Sequence, residues 1–121
     1  MDSNPMDDHE KRRSDRKQLY FYLKAIHDST GRIAGYLGDI STSGLMLFSR
    51  EKMEPGQEVV LRINLDKELE MQAPLVFEAR SLWCEKDANP EFFIIGYEFI
   101  DLGQDELDTV KYLIKKIGFT K

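Results

Sequence analysis

The stretch Gln57-Glu58-Val59-Val60-Leu61-Arg62-Ile63-Asn64-Leu65 places Val59, Leu61, Ile63 and Leu65 at every second position, the period of a strand with one face against a core. Segments of the same kind extend outward from it. Downstream they run at about 71–84 and 91–101, and upstream at 32–40 and 43–49, preceded by Leu19-Tyr20-Phe21-Tyr22-Leu23 and Ile26. Clusters of turn residues separate them: Asp28-Ser29-Thr30-Gly31, Ser41-Thr42, Glu54-Pro55-Gly56, Asp66-Lys67 and Asp87-Ala88-Asn89-Pro90. About six half-buried antiparallel strands are predicted. The period then changes: Leu107, Val110, Leu113, Ile114 and Ile117 recur at three and four, which predicts a terminal helix with one apolar stripe. Asp105, Glu106 and Asp108 near its start and Lys115 and Lys116 near its end complement the helix dipole, and Gly118 is a natural stop. Short antiparallel strands in this number close into a small barrel or sandwich, with the helix over an open end or seam.

With 121 residues, the chain has room for one compact domain and a tail, not two ordinary domains. No apolar run reaches the roughly 20 residues of a membrane span, and the first twenty lack the apolar stretch of a secretory signal. The expectation is a soluble, cytoplasmic protein without membrane insertion. The one cysteine, Cys84, has no internal partner, and His9 and His27 are the only histidines, so neither a disulfide nor a zinc site is expected. The formal net charge is −5, against general affinity for nucleic acid, but the charge is unevenly spread. Asp2, Asp7, Asp8 and Glu10 occupy the first ten residues without a cation; Lys11, Arg12, Arg13, Arg16 and Lys17 then stand against Asp15 alone. Residues 1–17 are too polar to offset the entropy of ordering them and are read as a flexible arm, with residues 18–121 as the barrel and helix.

Motifs of catalysis are lacking: there is no GxGxxG, Walker loop or GxSxG elbow, and no Ser/His/Asp set is plausible with one histidine in the body. An enzyme is not expected, nor is a cofactor. Two short segments carry chemistry instead. Arg12-Arg13-Ser14-Asp15-Arg16 sets two arginines four residues apart, which either an extended or a helical arm can close on a compact dianion; a planar guanidinium binds phosphate bidentately and can address guanine O6 and N7. It is also what a solvated basic terminus looks like. Asp39-Ile40-Ser41-Thr42-Ser43-Gly44 lies between two predicted strands. Asp39 can accept from paired N–H donors, Ser41 can donate or accept, and Gly44 permits close approach of backbone. The same residues make ordinary turns.

In this order the two segments resemble the signature of the PilZ domain family, RxxxR in an N-terminal arm followed by DxSxxG between the second and third strands, and Ile95-Gly96-Tyr97-Glu98-Phe99-Ile100-Asp101-Leu102 is similar to a late strand of that family. The resemblance covers roughly residues 10–117. It implies a six-stranded antiparallel β-barrel with a C-terminal helix, and a receptor for cyclic di-GMP. On that reading Arg12 and Arg16, with Arg13 near, meet phosphates and Hoogsteen edges, while Asp39, Ser41 and Gly44 form the base-reading turn. Trp83 resembles an aromatic that some members place beside the ligand, although a lone tryptophan in a strand is also ordinary core. With no residues left for an output domain, the implied protein is a stand-alone receptor whose arm orders on the ligand and which signals through an unidentified downstream protein. The alternative is a PilZ-like adaptor that never binds the nucleotide.

Overall fold

Alternation along each strand buries one row of side chains, and a sheet with one apolar face can hide it by closing on itself. The computed structural model, which describes residues 23–65 and 73–117 (at 117 the backbone only), shows this solution. Strands β1 (Lys24–His27), β2 (Ile33–Ile40), β3 (Gly44–Ser49), β4 (Glu58–Ile63), β5 (Leu75–Lys86) and β6 (Phe93–Ile100) are followed by helix α1 (Gln104–Ile117). They form a closed barrel in the order β1-β2-β3-β6-β5-β4, with β4 returning to β1. Two three-stranded meanders are thus joined edge to edge, and every pairing is antiparallel. The six strands and the helix are those the periodicities predict, and closure makes the architecture a barrel, not a sandwich. Boundaries differ in places. Of the first predicted run, Leu19 to Tyr22 lie outside the described residues, β1 begins at Lys24, and β5 continues to Lys86.

Leu37, Leu47, Leu61, Ile63 and Ile95 fill the interior and are fully buried. Phe77 and Phe99 meet edge to face at 5.2 Å, a favoured aromatic arrangement. Val110 and Leu113 of α1 join the same core, with Ile114 and Leu102 packed against it, so the helix closes the barrel beside β5. Asp101 takes up a left-handed conformation (φ 49°) where the chain leaves β6 for the helix, one that Asp tolerates better than most residues. Ser81 fixes the approach to β4: its buried hydroxyl donates to the Glu54 carbonyl (2.6 Å) and accepts from the Gln57 amide (2.9 Å).

Besides an irregularity at Ala34 of β2 against β1, the sheet carries one extra residue in β2 against β3 and one in β5 against β6. In β2, Leu37 pairs with Leu47 and Asp39 with Met46, so Gly38 has no partner across the ladder; in β5, Ser81 pairs with Tyr97 and Trp83 with Gly96, so Leu82 is the extra one. These are β-bulges, and each changes which residues face the core. Ahead of the first, Gly35 and Leu37 are buried; beyond it Ile40 is, and Asp39 is exposed. Ahead of the second, Leu75, Phe77, Ala79 and Ser81 are buried, whereas Trp83 lies outside.

Candidate functional site

The bulges place Asp39 and Trp83 on one row of the outer wall. Read across β2, β3, β6 and β5, the paired residues are Asp39, Met46, Gly96 and Trp83, about 14 Å along the sheet for three interstrand steps. The neighbouring row runs Gly44, Glu98, Arg80 and Glu58. The wall of β2, β3, β6 and β5 therefore carries four of the positions singled out from sequence: Asp39 and Trp83 in one row, Gly44 in the next, and Ser41 in the turn that joins them. Arg12, Arg13 and Arg16 lie outside the described residues.

The Ser41 to Gly44 turn is built from its own polar groups. The Ser41 amide donates to the Gly44 carbonyl (2.8 Å). Its hydroxyl accepts from the Ser43 amide (3.2 Å) and lies 3.1 Å from the Ser43 hydroxyl. The Ser43 carbonyl in turn accepts from the Phe99 amide (2.9 Å), which pins the turn to β6. Gly44 is required by close approach: a Cβ there would run into the Tyr97 carbonyl oxygen on β6. Asp39 uses Oδ1 to accept from the Ile40 amide (2.9 Å), which fixes the carboxylate at the strand end and leaves Oδ2 without a partner among the described residues. One oxygen orients the group while the other is available to a ligand donor.

Trp83 is 39% exposed, so the core alternative is not what the fold adopts. Its indole lies against Gly96 on the adjacent strand, where a Cβ would meet Cε2, Nε1 and Cζ2 of the ring. Below it, Arg80 donates to Glu98 Oε2 (2.6 Å) and to Glu58 Oε2 (3.0 Å). Its hydrogen bonds to Glu58 first and to Glu98 second raise the guanidinium pKa above its usual value. Two carboxylates to one cation leave this cluster net negative, which disfavours an anionic group at Arg80 itself. Sequence reasoning missed the cluster, and it quoted Gly96 only as part of a late strand, without a role. The signal for Gly96 was available, because a glycine in the middle of a strand marks close approach by another group.

Among the described residues no group of His, Cys, Asp and Glu could hold a metal ion, and no helix is long and apolar enough to cross a membrane. A shallow depression of about 200 Å³ lined by His27, Ser29, Thr30, Arg32, Ile33 and Glu51 lies at the opposite end of β2 from the Ser41 turn, away from this face. The family model of the PilZ domain matches residues 10–116, spanning both arginine and serine motifs and the barrel. The chain belongs to the PilZ domain family. Solved PilZ structures share the fold. The PilZ domain of YcgR from Escherichia coli, with c-di-GMP, has a TM-score of 0.60 at 11% identity over 80% of this chain and 81% of that one. The Bacillus subtilis inhibitor of motility MotI/DgrA scores 0.65 at 17% identity over 82% of this chain and 48% of its own. A tetrameric PilZ protein of Xanthomonas campestris, assembled through a helical bundle, scores 0.55 at 18% identity over 94% and 62%. This PilZ chain thus spans about half the length of the Bacillus protein. No curated protein matches its sequence.

Proposed function

We propose that this PilZ protein is a cyclic di-GMP receptor, without catalytic activity, that orders its arginine arm on the ligand and signals through a protein partner. The observation that carries this reading is the convergence of Asp39, Ser41 and Gly44 with Trp83 on one outer wall, in a chain whose arm also holds Arg12 and Arg16. The PilZ domain of YcgR, seen with c-di-GMP, supports the choice of ligand. The division of labour follows from the chemistry. Arg12 and Arg16, with Arg13 beside them, supply charge-assisted hydrogen bonds to phosphates and Hoogsteen edges. Asp39 Oδ2 accepts from guanine N1–H and N2–H, and the Ser41 hydroxyl turns from its turn partners to the base. Ligand phosphates then hold an arm that is otherwise opposed only by weak exposed charges, and the ordered arm forms the surface a partner reads.

Calorimetric titration with cyclic di-GMP tests this, with GTP and a single-stranded oligonucleotide as controls. Saturable binding of the dinucleotide alone is expected. Arg12→Ala or Arg16→Ala should each weaken it by about 1.5–3 kcal/mol while leaving the melting temperature unchanged. Amides of residues 12–17 should gain rigidity in heteronuclear NMR relaxation at saturation. Absence of binding would favour the adaptor that makes protein contacts only.

A further inference from the structure

We infer that Gly96 is a positioning residue: it seats the Trp83 indole against β6 and so fixes an aromatic platform for one purine face of the ligand. The inference rests on the receptor reading above. β6 is a central strand, paired with β3 on one side and β5 on the other, where a glycine weakens the ladder and offers nothing to pack. At this position three indole atoms occupy the space a methyl group would need. The ring is therefore supported from below by backbone held in place on both sides, and its displacement is from β5 toward Met46 and Asp39 along the row. At 39% exposure, part of the ring remains open to solvent. A ring held on one side and partly exposed suits a stacked base, because a rotating indole loses entropy on stacking and a locked one does not.

A purely structural role gives a different result. Aromatic side chains laid over sheet glycines stabilise strands in their own right, and a pair with only that role would alter stability and leave affinity alone. Trp83 is the only tryptophan of the chain, so its fluorescence reports the seat directly. Gly96→Ala is expected to keep the barrel folded, since the indole can lift where β6 cannot. Its emission should shift to longer wavelength, and cyclic di-GMP should bind about 5- to 100-fold more weakly, the scale of one base stacked on an aromatic ring. Trp83→Ala should cost about the same, and the double variant Trp83→Ala/Gly96→Ala no more than Trp83→Ala alone, because Gly96 acts through the indole. Wild-type affinity in Gly96→Ala, or losses that multiply in the double variant, overturn the inference. Should Gly96→Ala fail to fold, time-resolved fluorescence anisotropy of the wild-type protein decides. An indole that tumbles only with the whole molecule supports the seat, and fast local rotation refutes it. If the wild type binds no cyclic di-GMP, the receptor reading and the platform fall together, while the anisotropy still judges the seat.

Discussion

Tyr97 points into the barrel, 3% exposed, and its hydroxyl has no hydrogen-bond partner among the described residues. Replacing it by Phe keeps the ring and removes the unpaired group. A buried, unsatisfied hydroxyl costs about 1–3 kcal/mol in lost hydration, so Tyr97→Phe should stabilise the protein by about 1–2 kcal/mol at neutral pH. In a domain of this size that is a rise of roughly 4–8 °C in melting temperature. Burial, and secondarily Cys84, pushes the phenol up to about 12 from its ordinary 10.0. The unfolded chain therefore gives up this proton near pH 10 while the folded chain holds it. The native state then binds more protons than the unfolded one, and stability present below pH 10 is lost as pH rises toward 12. At 1.36 kcal/mol per pKa unit the loss is on the order of 2–3 kcal/mol. Urea denaturation from pH 7 to 12 should show the variant ahead throughout, by a margin that widens above pH 10. A variant less stable than the wild type at neutral pH would reveal a partner for the hydroxyl. Parallel curves through pH 10–12 would show that the phenol ionises alike in both states.

Gly44→Ala should cost about 2–3 kcal/mol, the upper part of the overpacking range, since relief requires β3 to separate from β6; an unchanged urea midpoint would contradict the close approach to Tyr97. Ser81→Ala strips the partner from the Gln57 amide and the Glu54 carbonyl and should destabilise by about 1–3 kcal/mol, whereas a loss below about 0.5 kcal/mol in the same assay would mean that water replaces the hydroxyl. Asp39→Ala should abolish the preference for guanine over adenine dinucleotides in competition titrations, because adenine offers no donor at N1; retained discrimination would confine Asp39 to shaping the strand end.

The barrel was legible because six runs alternate and one does not, and Leu61 and Ile63 in β4 or Val110 and Leu113 in α1 follow their periods without interruption. Strand order was not legible in the periodicity alone. A period of two tells which side chains are buried and not which strand lies beside which, so the β3 to β6 seam that joins Gly44 to Tyr97 could come only from the fold. The Asp39 to Gly44 motif was readable because its residue types carry turn chemistry locally. Trp83 was ambiguous for a physical reason: the alternation of Leu75, Phe77, Ala79 and Ser81, carried straight on, puts residue 83 inside. The extra Leu82 that turns it out leaves no mark in composition. Glu58, Arg80 and Glu98 meet from three strands, and nothing local links them.

The two bulges have a consequence for how this wall can change over time. Each works like a shift of reading frame: Leu37 and Ser81 just before it belong to the core, and Asp39 and Trp83 just after it belong to the solvent side. Were Gly38 or Leu82 drawn into regular pairing with the facing strand, the Asp39 carboxylate or the Trp83 indole would be handed to an apolar interior, with no change in the chemistry of either side chain. Deleting the extra residue itself would keep both faces as they are, so the surface depends on each bulge remaining outside the ladder. The wall is specified by counting as much as by composition, and two unpaired residues keep the count.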